Sequence, residues 1–176
     1  RSKTRRVALD ILLVYIALTS CCFIGYRFSG MSNFDSLNHA MTTISTGGYS
    51  TSDNSMGNFS IAAHWNAIIF MFLGGLPFLL FIRAFNHRDI FRLFKDAQVL
   101  GFMKLVIFFT GVLTFYLVFT GQFSFSDAIR LSLFNVVSVM TTTGFGLDDF
   151  VSWGDFSVMI FFILFFFGAC SGSTAG

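Results

Sequence analysis

The sequence predicts an all-α integral membrane protein made of a repeated unit: a membrane helix, a short re-entrant helix, a polar Thr/Gly loop and a second membrane helix, the last helix being broken. Three observations predict it. Of the 176 residues 55% are hydrophobic and only 11% charged, with a mean hydropathy of +0.74, whereas a soluble domain carries about 25% charged residues. Four apolar runs recur along the chain. The polar segments inside the two halves match each other at a fixed offset. The composition argues against a soluble enzyme or a nucleic-acid binder. Phe alone occurs 27 times, and such a surface is tolerated in lipid but aggregates in water.

The first run, 7–26, is interrupted only by Asp10, and it is too long for a cleaved signal peptide. The second, 61–82, has Pro77 near its end, and the third, 99–121, contains Lys104. All three are near the ~20 residues that cross a bilayer as a helix. The fourth starts at Phe156 and loses continuity at Gly168. Its roughly 12 residues reach about 18 Å at helical rise, so this helix must break part-way or resume beyond a non-helical stretch.

Charge sets the orientation. Arg1, Lys3, Arg5 and Arg6 precede the first run, and Arg83, Arg88, Arg92 and Lys95 lie between the second and third. These segments fall on one side if each run crosses once, and the positive-inside rule makes that side cytoplasmic. Residues before 7 and the basic loop 83–98 are therefore expected inside. Asp35, Asp53, Asp127, Asp148, Asp149 and Asp155 fall on the outer side.

The outer segments 27–60 and 122–155 are too long and apolar for simple loops. Each holds a short amphipathic stretch, 34–43 and 126–140, with Asp35 and Asp127 at or near the start, where a carboxylate can cap free N–H groups. At this length neither spans the ~30 Å hydrocarbon core. A re-entrant half-helix fits better. A shift of 97 positions lays Leu37-Asn38 on Phe134-Asn135, Ser45-Thr46-Gly47 on Thr142-Thr143-Gly144 and Phe59-Ser60 on Phe156-Ser157. Internal repeats in membrane proteins flank a shared axis on which the substrate site lies, and polar residues at fixed spacing argue against chance similarity in a Phe-rich chain. The units are 1–98 and 99–176.

The loops 44–49 and 141–146 contain no Lys, Arg, His, Asp or Glu. They offer no acid, base or metal-binding carboxylate, only peptide carbonyls, small hydroxyls and glycines. Non-helical backbone at membrane depth is tolerated where it is buried in protein or lines water. A row of carbonyls replacing the hydration shell of a monovalent cation meets that condition, whereas a divalent ion calls for carboxylates. The bland alternative is an ordinary outer turn, against which the repeat speaks. Cys21, Cys22 and Cys170 suggest no disulfide framework, and His39, His64 and His87 have no metal-ligand spacing.

Thr142-Thr143-Gly144-Phe145-Gly146 resembles the TVGYG filter of potassium channels, and Ser45-Thr46-Gly47-Gly48-Tyr49 is a degenerate version. With Met71-Phe72-Leu73-Gly74-Gly75-Leu76-Pro77-Phe78 and the Gly/Ser/Thr stretch 168–176, the chain resembles the Trk/Ktr/HKT family of potassium transporters, in its TrkH-like branch. The resemblance implies a potassium-channel-like fold of four helix–pore loop–helix repeats, of which this chain holds the second and third. It implies filter glycines at Gly47 and Gly144, with carbonyls from Ile44, Ser45, Thr46, Gly47 and Gly48 and from Thr141, Thr142, Thr143, Gly144 and Phe145. It further implies that Gly168, Ala169, Cys170, Ser171, Gly172, Ser173 and Thr174, continuing to 176, form an intramembrane gating loop beneath the filter. A homodimer and a cytosolic nucleotide-binding regulatory subunit are implied as partners.

The expected function is potassium uptake across the bacterial inner membrane, with K+ as transported ion, membrane lipid around the helices and no organic cofactor or enzyme activity. Asp53, Asp148 and Asp149 would make the outer mouth negative. Two rivals stand beside it. An intramembrane serine protease would use Ser171 or Ser173, with Cys170 in the same small-residue loop, but no His shares that segment and no G-x-S-x-G is present. A non-transporting assembly subunit is the other.

Overall fold

The computed structural model describes residues 3–87 and 90–175. Arg1, Arg88 and Gly176 lie outside the described residues, as do the side chains of Lys3, His87 and Arg92. Every described regular element is helical. Two helices are long and apolar enough to cross a bilayer, α1 (Lys3–Phe28) and α5 (Ala97–Phe119). Both stop in the same way. Gly30 and Gly121 take left-handed φ of 91° and 70°, and the next residues, Met31 and Gln122, donate back to Tyr26 O and Leu117 O. A glycine at this position ends a helix without the Cβ penalty of other residues.

Two shorter helices follow, α2 (Asn33–Ile44) and α6 (Phe125–Met140). The structure moves their caps by three residues from the aspartates to Ser32 and Ser124. Each serine Oγ accepts from the N–H of Asp35 or Asp127, at 3.0 and 3.3 Å, and donates to the carboxylate of the same residue, at 2.6 and 2.8 Å. A hydroxyl does both jobs at once, which a carboxylate cannot. The aspartate keeps its charge in the first turn, where the helix dipole favours it.

The second apolar run is not one helix. It forms α3 (Ile61–Gly74) and α4 (Phe78–His87), bent by 92°. Gly74 and Gly75 weaken helical preference, and Pro77 has no N–H and disfavours helical backbone at Leu76. The exposed backbone groups find partners far along the chain. Gly74 O accepts from the N–H and hydroxyl of Thr174, Gly75 O accepts from Cys170 N–H, and Phe78 N–H donates to Gly172 O. A 3-10 helix, Ile90–Lys95, leads to Asp96, whose carboxylate caps α5.

The last helix, α7 (Asp155–Leu164), ends in turns through Phe167. From Gly168 the chain runs irregularly against the α3–α4 bend. Helix α1 packs on α2 and α3, α5 packs on α6, and α6 packs on α3 and α7. The α3–α6 contact joins the two units; α6 is largely enclosed, with Phe134, Val136 and Met140 buried, and α2 buries one face through Ala40 and Ile44 while Phe34, Leu37 and Met41 are exposed.

Candidate functional site

Both short helices unwind into loops with the same backbone course. Thr46 and Thr142 take left-handed φ of 51° and 57°, and Gly48 and Gly144 take 68° and 82°. Thr46 N–H returns to Thr43 O and Thr142 N–H to Val139 O; Gly47 N–H returns to Thr42 O and Thr143 N–H to Ser138 O. Thr42 donates its hydroxyl to Tyr49 O at 2.9 Å, and Ser138 to Phe145 O at 2.7 Å. Each pair is 96 residues apart, as 46 is from 142, and not 97.

The structural counterpart of Gly144 is therefore Gly48, and Gly47 stands opposite Thr143. Sequence identity favours the other register because Thr46-Gly47 matches Thr143-Gly144 letter for letter. The backbone decides otherwise, since the second left-handed position comes two residues after the left-handed threonine. In the same register His39, not Asn38, answers Asn135. Ser60 caps α3 whereas Phe156 and Ser157 lie inside α7, so that part of the repeat match has no structural meaning.

The two loops meet. A Cβ on Gly48 would lie 1.9 Å from Thr143 O and 3.1 Å from Gly144 C. Beyond the loops, Ser55 Oγ accepts from Gly146 N–H at 3.0 Å and Met56 N–H donates to Gly146 O at 3.1 Å. Residues 50–56 thus strap the end of the second loop. Among the described residues, no hydrogen bond ends on the carbonyls of Thr46, Gly47, Gly48, Thr142, Thr143 or Gly144. Two of the carbonyls expected to be free are engaged: Ser45 O accepts from Thr46 Oγ1 at 2.7 Å and Phe145 O from Ser138. Ile44 O faces Gly74, 3.4 Å from where a Cβ would stand. Thr141 is buried, its hydroxyl donating to Val137 O and accepting from Thr143.

Irregular backbone is bound against the first of these loops. Thr46 Oγ1 also lies 3.2 Å from Thr174 O, so the 168–175 segment touches the first loop and the α3–α4 bend together. Cys170 is buried, Ala169, Ser173 and Thr174 are half-buried, and Gly168, Ser171 and Gly172 are exposed. Gly75 is wedged in this junction, with a hypothetical Cβ 2.9 Å from Thr141 Cγ2, 3.3 Å from Phe72 O and 3.4 Å from Ala169 Cβ. Thr141 cannot turn aside without losing its hydroxyl bonds. Gly75→Ala is expected to lower the stability of the full-length protein by about 1–3 kcal/mol, as overpacking does, measured by thermal unfolding in detergent; an unchanged transition would show that the junction yields freely.

A cavity of about 670 Å³ brings Asp53, Asp148 and Asp149 together with His64, Arg130 and Gly146. The two later aspartates also brace their own turn, Asp148 accepting from Trp153 Nε1–H at 2.9 Å and Asp149 from Val151 N–H at 3.0 Å. Sequence reading passed over Arg130, although it is the single basic residue of 122–155 and stands one turn after Asp127. Its guanidinium, with the side chain 13% exposed, donates to Asp127 at 2.8 Å and to His64 Nδ1 at 3.0 Å, tying α6 to α3. Arg130 and Ser124 hold the Asp127 carboxyl below the usual range, and Ser32 and Thr51 do the same for Asp35.

The protease reading finds no support in this geometry. His39 and His64 spend their ring nitrogens on Asp35, Ser50, Met56 and Arg130. Among the described residues no group of three or more His, Cys, Asp or Glu is placed to hold a metal ion.

The fold and site define an all-helical membrane protein of paired helix–short helix–loop–helix units whose loops meet between them. The chain belongs to the TrkH family of cation transport proteins, whose family model matches residues 3–176; these are transporters and not enzymes. It is 39% identical over 176 residues to the Trk system potassium uptake protein TrkI of Halomonas elongata, covering 99% of this chain and 35% of that protein. It is 32% identical to the Trk system potassium uptake protein TrkH of Escherichia coli K12, covering 100% of this chain and 37% of that protein. The crystal structure of the potassium transporter TrkH from Vibrio parahaemolyticus superposes with a TM-score of 0.94 at 30% identity, over 100% of this chain and 38% of that one. The chain thus spans about a third of the length of these relatives.

Proposed function

We propose that this chain supplies two adjacent pore-loop repeats, the second and third of four, to a potassium uptake pathway in the bacterial inner membrane. The observation that carries the reading is the meeting of two loops whose carbonyls at Thr46, Gly47, Gly48, Thr142, Thr143 and Gly144 have no protein partner among the described residues. Such oxygens can replace the waters of a monovalent cation. Ser45 and Phe145 act around them as support, since their carbonyls are engaged, whereas the carbonyls of Ile44 and Thr141 accept no hydrogen bond among the described residues and stay with the set. The C-terminal ends of α2 and α6 point their partial negative charge at the same place. In this reading both short helices re-enter the membrane from outside.

Hydrated K+ gathers at the mouth beside Asp53, Asp148 and Asp149, sheds water at the loops and is driven inward by the membrane potential, about 2.3 kcal/mol per charge per 100 mV. Below, the segment from Gly168 through Thr174 acts as the gate. Its bonds to Gly74, Gly75 and Phe78 are what opening must break. Residues before 7 and the loop 83–98 face the cytoplasm, where the loop meets anionic lipid or a nucleotide-binding regulatory subunit, and the whole protein works as a homodimer.

The direct test is cation uptake by the full-length protein. At Gly144 a Cβ would meet nothing within 4 Å, but the φ of 82° is unfavourable for any other residue, costing about 1–2 kcal/mol. Gly144→Ser and Gly144→Asp are expected to fold and to lose preference for K+ over Na+, the aspartate more severely. Unchanged selectivity in both would overturn the filter assignment.

A further inference from the structure

Two buried histidines flank the meeting of the loops, and their partners dictate opposite behaviour. His64 has Nδ1 3.0 Å from the Arg130 guanidinium, which can only donate, and Nε2 2.9 Å from Met56 O, which can only accept. Its ring is neutral, with the proton on Nε2, and a second proton would have to expel Arg130. His39 has Nδ1 2.8 Å from Asp35 O, so Nδ1 carries a proton. Its Nε2 lies 3.0 Å from Ser50 Oγ, which can take either role.

Ser50 has one proton and two claimants for it. Its Oγ accepts from Ser52 N–H at 3.1 Å and lies 3.0 Å from Ser55 O as well as facing His39. With a neutral His39 the hydroxyl points at Nε2 and Ser55 O goes without it. With a proton on Nε2 the ring donates to Ser50, and the hydroxyl is released to Ser55 O. All four positions around Ser50 Oγ are then filled. Ser55 is the residue whose side chain holds Gly146 N–H, at a left-handed φ of 47°. The His39 ring also stacks on Phe145 of the second loop, centroids 5.7 Å apart and planes 25° apart. Among the described residues, the titratable groups facing the ring are Asp35 on its own helix and Tyr26 on α1, 6.0 Å away; Phe59 completes the wall at 4.8 Å.

We propose that His39 is a proton-binding positioning residue of the outer mouth, which joins the two loops and makes cation selectivity respond to external pH. The proton comes from the outer solution, reaching the half-buried Ser50 beside the exposed Thr51. It adds at Nε2, no covalent bond breaks, and the Ser50 hydroxyl turns to Ser55 O, fixing the strap that holds Gly146. The inference rests on the potassium-uptake reading.

The test is the K+/Na+ uptake ratio of the full-length protein in cells over an external pH range that extends well below the ordinary imidazole value, because burial pushes His39 down. The ratio is expected to be about threefold higher in acid, the worth of one hydrogen bond. His39→Asn, which copies the amide at the matching position 135, and Ser50→Ala, which keeps the ring but removes the relay, are each expected to flatten the profile. His64→Gln should leave it sloped. A flat wild-type profile, or a wild-type slope in either His39→Asn or Ser50→Ala, overturns the proposal while uptake itself persists. Loss of potassium preference in the wild type at every pH overturns the functional reading together with it.

Discussion

Gly48→Ala is expected to abolish potassium-selective uptake by the full-length protein, whereas Gly47→Ala, one residue earlier, is expected to leave most of it. At Gly48 the added methyl would stand 1.9 Å from Thr143 O and 2.8 Å from Thr143 C. Those are backbone atoms of the facing loop, so no side-chain rotation relieves the overlap and the loops must separate. The φ of 68° adds about 1–2 kcal/mol of its own. At Gly47 the nearest contact is the Ser45 hydroxyl at 3.2 Å, the end of a small side chain, and φ is not in the left-handed region. Uptake of K+ and Na+ in cells lacking their own potassium uptake, corrected for the amount of protein in the membrane, reads the difference. Damage at Gly47 with Gly48 spared would show that the loops pair in the register of the letters and not of the backbone.

Asn135→Leu is expected to cost about 2–3 kcal/mol of stability, because three backbone groups lose the amide that serves them. Asn135 is 3% exposed; its Nδ2 donates to Leu131 O at 3.0 Å and to Leu147 O at 2.7 Å, while Oδ1 accepts from Leu147 N–H at 3.4 Å. Leucine has the same branched outline, is bulkier and offers none of these bonds. The segment leaving the second loop, Gly146-Leu147, then loses its anchor to α6, so selectivity should fall with stability. Asn135→Asp turns a carboxylate oxygen toward the carbonyls of Leu131 and Leu147 in a buried site, and should be at least as destabilising as Asn135→Leu near neutral pH. Thermal unfolding of the detergent-solubilised full-length protein gives the order; a wild-type transition for Asn135→Leu would mean that the amide does not brace the loop.

Much of the fold was legible in the residues. Long apolar runs interrupted by one charge each, at Asp10 and Lys104, specify α1 and α5 because lipid demands helices whose backbone bonds are internal. The failure of continuity at Gly168 announced a helix too short to cross. The bend at Gly75 was harder to see, because Pro77 sat near the end of a run that met the length for a span. What fixes the bend is distant: Cys170, Gly172 and Thr174 supply partners for the backbone that the break releases. Arg130 was missed because a lone basic residue in an outer segment carries no signal until His64 is seen beside it.

The sequence by itself determined the lipid solvent and the helical class, since these follow from hydrophobic length and composition within a few neighbours. Only the tertiary structure decided the pairing of Gly48 with Gly144, of His39 with Asn135, and of the 168–175 segment with the α3–α4 bend. Register within a loop depends on which residue must turn left-handed against a facing backbone, and that constraint acts between atoms about a hundred positions apart in the chain.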